Sequence, residues 1–244
     1  MSVPRHGLTM SETVRNKGMV YLLNGNSNAR LTTVMARLAT RLCPETDFES
    51  DTVSAAPRYI STPDHVEMAR QHIIDHVHAR LLRRNHQPDA ILLACFGEPG
   101  LIELRERIGL PIVGMLEAGI ATAMQSGRQF AILTTGAQWP PMLADLIAVY
   151  GVDRRCAGIE TLSEEACARP ATIWKPALRR QILDIAERTG ADVVIVGGGP
   201  VSGRGLATAS LAEVIVIDAF AAALVQLSAL AKLHAIPSRR KTNV

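Results

Sequence analysis

The stretch Ala90-Ile91-Leu92-Leu93-Ala94-Cys95-Phe96-Gly97-Glu98-Pro99-Gly100 decides the fold. Its uninterrupted apolar run reads as a strand covered on both faces, as in a parallel sheet. The run stops at a cysteine and breaks into a Gly/Pro turn. Parallel sheets place reactive groups there, outside the carboxyl ends of their strands. About a hundred residues further on, Ala191-Asp192-Val193-Val194-Ile195-Val196-Gly197-Gly198-Gly199-Pro200 repeats the arrangement, with Gly198 where the first copy has Cys95.

Working outward, short apolar runs alternate with helix-patterned segments. Met19 to Leu23 reads as a strand, followed by the polar loop Asn24-Gly25-Asn26-Ser27-Asn28 and a helix to about Leu42. A weaker strand is expected near Phe48 to Val53. Thr62-Pro63 opens a long helix, Thr62 as N-cap and Pro63 at the first helical position. Val66, Ala69, Ile73, Val77 and Leu81 keep the helical period. After Cys95 come a short helix over 101–108 and a strand over 111–115. The order then starts again. A strand at 130–133 leads into the turn Thr134-Thr135-Gly136 and a helix over 141–150. A short strand at 156–159 precedes a helix from Lys175 to Thr189, stopped by Gly190. Strands at 193–196 and 214–217 and an Ala-rich final helix close the series.

This alternation predicts parallel sheets with helices on both faces. The strand at 19–23 answers to 130–133, the one before Cys95 to the one before Gly198, and 112–116 to 214–217. Glu117-Ala118 and Asp218-Ala219 follow the last pair. The expected fold class is therefore α/β, with two pseudo-symmetric Rossmann-like domains, each a parallel sheet flanked by helices, and a site in the cleft between them. The expected boundaries are a flexible leader over 1–17, a first domain over 18–116 plus 218–236, a second over 117–217, and a flexible basic tail over 237–244.

Composition agrees with a soluble enzyme. The 244 residues are 48% hydrophobic and 20% charged, and only 4% aromatic, so the core must be aliphatic. The net charge of +3 is spread out. The run Arg239-Arg240-Lys241 has no interleaved aromatic residues and reads as a solvated end, so no nucleic-acid partner is expected. The apolar stretch from Val214 to Ile236 is interrupted by Asp218, Gln226 and Lys232, so no membrane partner is expected either. The N-terminus shows no signal-peptide pattern, which points to the cytoplasm and reduced thiols. The four cysteines have no CxxC spacing, and no structural metal site is expected.

Cys95 is the leading candidate for chemistry, as a thiolate base or nucleophile. The plain alternative is a small hydrophobe at a strand end. The amides around Phe96-Gly97, beside a helix start, are placed to stabilise a thiolate or an oxyanion. Cys43, Cys156 and Cys167 lack that setting and read as structural. Asn24, Asn26 and Ser27 can hold ligand oxygens or merely form a turn and a cap. Thr134 and Thr135 occupy the mirrored place. The turn from Gly197 to Gly203 fails the dinucleotide spacing, since its sixth position is Ser202, and no GK[ST] is present. Close backbone approach to a ligand is the better reading, with the Gly198 and Gly199 amides donating. His65, His72 and His76 share a helical face and read as solvated rather than as metal ligands. Glu117 and Asp218 either orient a neighbour or cap the following helix.

These residues resemble the aspartate/glutamate/hydantoin racemase superfamily, especially hydantoin and allantoin racemases. The resemblance runs from about Tyr21 to Ala223. It rests on Asn24-Gly25-Asn26-Ser27, on Ala94-Cys95-Phe96-Gly97-Glu98-Pro99-Gly100-Leu101, on Pro111-Ile112-Val113-Gly114-Met115-Leu116-Glu117-Ala118, and on Val216-Ile217-Asp218. It implies a cofactor-independent isomerase acting on a small carboxylate, amide or hydantoin-like substrate, and a homo-oligomer is expected. In such racemases two cysteines face each other across the carbon that changes configuration, one thiolate removing a proton and the other thiol returning one. Cys95 matches the first thiol; Gly198 stands where the second belongs. A water beside Gly198 is one substitute. One-face chemistry (decarboxylation, double-bond isomerisation or hydrolysis) is the first alternative, and an inactive ligand-binding relative the second.

Overall fold

The computed structural model describes residues 18–83, 87–208 and 214–235. The leader over 1–17 and the tail over 237–244 lie outside the described residues. The first half runs β1 (Met19–Asn24), α1 (Ala29–Leu42), β2 (Asp47–Thr52), α2 (Pro63–Leu81), β3 (Ala90–Leu93), α3 (Leu101–Arg107), β4 (Ile112–Gly114) and α4 (Met115–Ser126). The second half runs β5 (Phe130–Thr134), α5 (Trp139–Val149), β6 (Cys156–Thr161), α6 (Glu164–Cys167), α7 (Ala171–Thr189), β7 (Val193–Val196), β8 (Ile215–Asp218) and α8 (Ala219–Ala235).

The strands form two parallel four-stranded sheets, ordered β2-β1-β3-β4 and β6-β5-β7-β8. The orders are the same once the second is renumbered, and the fold is α/β as expected. Every residue of β3 and of β7 is buried, which explains their unbroken apolar sequences. The last helices of the halves trade places. The helix α4 packs on β7 and β8, α8 packs on β3 and β4, and the two helices pack against each other.

Several details depart from the sequence expectations. The pattern did not announce α4, because a helix covered by a sheet and by α8 has no polar stripe to mark its period; Met115, Leu116, Ala118, Gly119, Ile120 and Ala123 are all buried. The helix α7 begins at Ala171, not Lys175, and carries Pro176 inside it. His76 is not on a solvated face. Its Nε2 lies 2.9 Å from Asp51 Oδ2 and 3.1 Å from the Tyr21 hydroxyl, because the edge strand β2 presents its acids to α2. Glu49 of the same strand holds the buried Arg80 guanidinium through two bonds, at 2.8 and 2.5 Å.

The strand register also corrects one pairing. Leu93 faces Gly114 across β3 and β4, and Val196 faces Asp218 across β7 and β8. Leu93 and Val196 stand at equal distance before Cys95 and Gly198. The counterpart of Asp218 is therefore Gly114, and Glu117 lies a turn further on, inside α4.

Candidate active site

The carboxyl ends of β1, β3, β5 and β7 all deliver loops to one small cavity of about 60 Å³. Asn26 and Asn28 reach it from the loop after β1, and Cys95 and Phe96 from the loop after β3. Thr134 and Thr135 come from the end of β5, and Gly198 and Gly199 from the turn after β7. Thus Cys95 and Gly198, from different halves, line the same space. Arg58, Tyr59 and Ile60, from the loop between β2 and α2, and Trp139 at the start of α5 complete the wall. Arg58 is the one charged side chain among the lining residues, so the cavity favours negative charge.

Cys95 is 9% exposed. Burial pushes its thiol up to about 11, while the neighbouring backbone amides of Gly97 and Glu98 pull the other way. Nearby Glu98 adds to the rise. The resting group at neutral pH is therefore the thiol, in a turn whose amides favour the thiolate against the cost of burial.

Gly198 has φ of +122°, which only glycine adopts easily. A Cβ built there would lie 3.0 Å from Thr135 Oγ1 and 3.7 Å from Thr134 Oγ1. This wall is thus bare backbone flanked by two hydroxyls. The turns also brace each other. A Cβ on Gly97 would come 2.1 Å from the Trp139 ring, and one on Gly197 would come 2.1 Å from the Phe96 ring. Each half covers the other's turn with an aromatic side chain.

Three residues expected at the ligand do not line the cavity. Asn24 is fully buried, and its amide group is occupied in shaping the loop. Its Nδ2 donates to Asn26 Oδ1 at 3.1 Å, to the Asn28 carbonyl at 3.2 Å and to Thr32 Oγ1 at 3.0 Å. Ser27 uses its backbone N–H to hold the Pro57 carbonyl, at 3.2 Å. Gly97 lies under Trp139 and contributes through its amide.

Glu117 and Asp218 also stand away from the cavity. Glu117 forms a half-exposed pair with Arg105 at 2.5 Å. Asp218 is buried, and its oxygens accept from the Gly205 and Ala221 amides, each at 3.0 Å. Burial raises its carboxyl to about 6 against those bonds. The Ala221 bond makes it the N-cap acceptor of α8.

Sequence reading overlooked Glu98, Arg58 and Tyr59. Glu98 is buried with φ of +52°. Its Oε1 accepts from the Glu117 amide at 3.0 Å, and its Oε2 accepts from the Tyr150 hydroxyl at 2.5 Å. Burial lifts its carboxyl to about 7, although the Tyr150 bond opposes the rise. An acid inside a Gly/Pro turn after a buried strand is a visible clue. Arg58 and Tyr59 sit in a stretch without periodicity, and only the tertiary fold brings them to the cavity. Among the described residues, no group of three or more His, Cys, Asp or Glu side chains could hold a metal, and no helix is long and apolar enough to cross a membrane.

Comparison with known proteins adds to this geometry. The hydantoin racemase of Rhizobium meliloti is 28% identical over 144 residues, which span 58% of this chain and 60% of that protein. The hydantoin racemase of Paenarthrobacter aurescens is 26% identical over 181 residues, 73% of this chain and 76% of that one. The allantoin racemase structure from Klebsiella pneumoniae superposes with a TM-score of 0.79 at 21% identity, over 89% of each chain. That from Pseudomonas fluorescens gives 0.79 at 23% identity, over 91% of this chain and 98% of the other. At such identities the structures share the fold. A family model described as Asp/Glu/Hydantoin racemase matches residues 20–227. With a match over nearly all of the described chain, the protein belongs to the Asp/Glu/hydantoin racemase family.

Proposed function

We propose that this protein is a cofactor-independent isomerase that moves a proton at a carbon beside a carbonyl. Its substrate is a small hydantoin-like, amide or carboxylate compound, and Cys95 carries the proton. The observation that carries the reading is the shared cavity, with one thiol on the wall of the first half and open glycine backbone on the wall of the second. The names of the hydantoin racemase relatives support the substrate class.

The chemistry follows from the groups present. A Cys95 thiolate takes the proton, and the electron pair of the broken C–H bond moves onto the substrate oxygen. The Gly198 and Gly199 amides, the Thr134 and Thr135 hydroxyls and the Arg58 charge favour that oxyanion over the neutral ground state. Asn26 and Asn28 offer amides for the remaining polar atoms. The two lobes are taken as 18–116 with 218–236, and 117–217, a division supported by the exchanged packing of α4 and α8.

The test is optical and isotopic. A chiral 5-substituted hydantoin in deuterated buffer should lose optical rotation and take up deuterium at its stereocentre. Cys95→Ser should lower that rate about 10²–10⁴-fold. Because the base is the thiolate and the thiol lies near 11, the wild-type rate should climb as pH rises through the neutral range. A rate indifferent to Cys95 would remove the proposal. The glycine at 198 supports one-face chemistry as a second reading, which deuterium uptake with unchanged configuration would favour. Binding without turnover, with affinity intact in Cys95→Ser, would instead identify a ligand-binding relative.

A further inference from the structure

We infer that Tyr59 is the proton carrier for the face of the substrate that Gly198 leaves without a thiol. The inference rests on the racemase reading above. It begins from an incomplete wall: inversion needs an acid/base group on each side of the carbon, and glycine supplies none. Of the residues lining the second-half wall, Thr134 and Thr135 hold alcohols, which are too weakly acidic to serve alone.

The first half sends a phenol to that wall. Tyr59 lines the cavity, and its hydroxyl donates to Thr135 Oγ1 at 3.5 Å. Thr135 Oγ1 is the atom that a Cβ on Gly198 would approach at 3.0 Å. The Tyr59 hydroxyl also lies 3.1 Å from the position of a Cβ on Gly136, the residue after Thr135. The phenol therefore reaches the Gly198 wall through the Thr135 hydroxyl that lies between them.

Its backbone is held on both sides. Ser27 N–H bonds the Pro57 carbonyl at 3.2 Å, and Trp139 Nε1 bonds the Ile60 carbonyl at 3.1 Å. One bond comes from the loop after β1 and the other from α5, so Tyr59 is stretched between the two halves. The side chain is 43% exposed, which leaves a route for proton exchange with water.

In the forward direction the Cys95 thiolate breaks the C–H bond and becomes a thiol, and the electron pair enters the enolate. The enolate carbon then takes the Tyr59 hydroxyl proton on its opposite face, and a new C–H bond forms as the O–H bond breaks. Thr135 donates its hydroxyl to the phenolate. Water then returns a proton to Tyr59 and accepts one from Cys95, so no proton or electron is gained or lost overall. Thr135 is a positioning residue in this scheme.

The experiment compares wild type with Tyr59→Phe on both enantiomers of a 5-substituted hydantoin in deuterated buffer. Inversion should fall about 10²–10⁴-fold, while Cys95-dependent deuterium uptake with retained configuration persists for one enantiomer. Unchanged inversion in Tyr59→Phe overturns this proposal and leaves the racemase reading intact. A wild type that neither inverts nor exchanges overturns both. If Tyr59→Phe loses uptake and inversion together, a fluorinated tyrosine placed at position 59 decides. A pH–rate profile displaced to lower pH by its more acidic phenol supports Tyr59 as carrier; an unmoved profile overturns it.

Discussion

The two halves solve the same structural problem with different residues. Each begins a helix at the end of its fourth strand, and each puts a buried carboxylate on that helix's third amide. In the second half the acid is local: Asp218 ends β8 and accepts from Ala221. In the first half the matching strand residue is Gly114, which has no side chain, and the acid is borrowed. Glu98, from the turn that carries Cys95, accepts from Glu117. A Cβ on Gly114 would lie 2.1 Å from Glu98 Oε1, so the glycine is what admits the carboxylate. The difference ties the helix cap of the first half to the thiol turn. The second half, with its cap supplied from the strand, has a turn free to be bare glycine.

The largest test of this contrast is pH. Glu98 is raised from 4.5 to about 7 in the fold. A raised carboxyl contributes its full stability below the unfolded value and loses it as pH climbs through the folded one. Ionising Glu98 should thus cost on the order of 3 kcal/mol between about pH 4.5 and about pH 8. Urea unfolding across that window should show Glu98→Gln losing less stability than wild type. The same variant removes a negative charge beside Cys95, so its pH–rate profile should move to lower pH. Parallel unfolding curves for the two proteins would deny Glu98 its role.

The cross-bracing gives the next effect. Gly97→Ala and Gly197→Ala each push a methyl into an aromatic ring from the other half. Each should destabilise by about 1–3 kcal/mol, read as a lower urea midpoint at unchanged slope. A neutral result for either would mean that its ring is not held in place.

The smallest effect separates the two acids that look equivalent in the sequence. Asp218→Ala removes a buried cap and leaves the Gly205 amide unpaired, at a cost of about 1–3 kcal/mol. Glu117→Gln breaks only the half-exposed Arg105 pair and should change stability by less than about 1 kcal/mol. Equal losses in thermal melts would restore the symmetry that the strand register denies.

What was legible in the sequence follows from how each feature is encoded. Buried parallel strands are written as unbroken apolar runs, so β3 and β7 could be read with the turns that follow them. Cys95 and Gly198 came with those strands, because position after a strand end is enough to aim a residue at the cleft, and Thr134 came with the end of β5. The cap of α2 was readable from Thr62-Pro63, and Thr62 does accept from the His65 amide. Register is not written locally. Glu117 and Asp218 come after similar apolar runs, yet Gly114 pairs with Leu93 in one sheet as Asp218 pairs with Val196 in the other, so Gly114 is the residue equivalent to Asp218. Tyr59 is invisible for a related reason: its place depends on bonds from Ser27 and Trp139, residues distant in sequence that no periodicity connects to it.

Trp139 has a use beyond its packing. The chain holds two tryptophans, Trp139 and Trp174. The Trp139 indole rests on Gly97 of the other half and is 8% exposed. Any hinge motion that parts the halves must lift this ring into water. With Trp174 replaced by phenylalanine, the emission colour of the remaining indole would follow the opening of the cleft directly, without an attached dye.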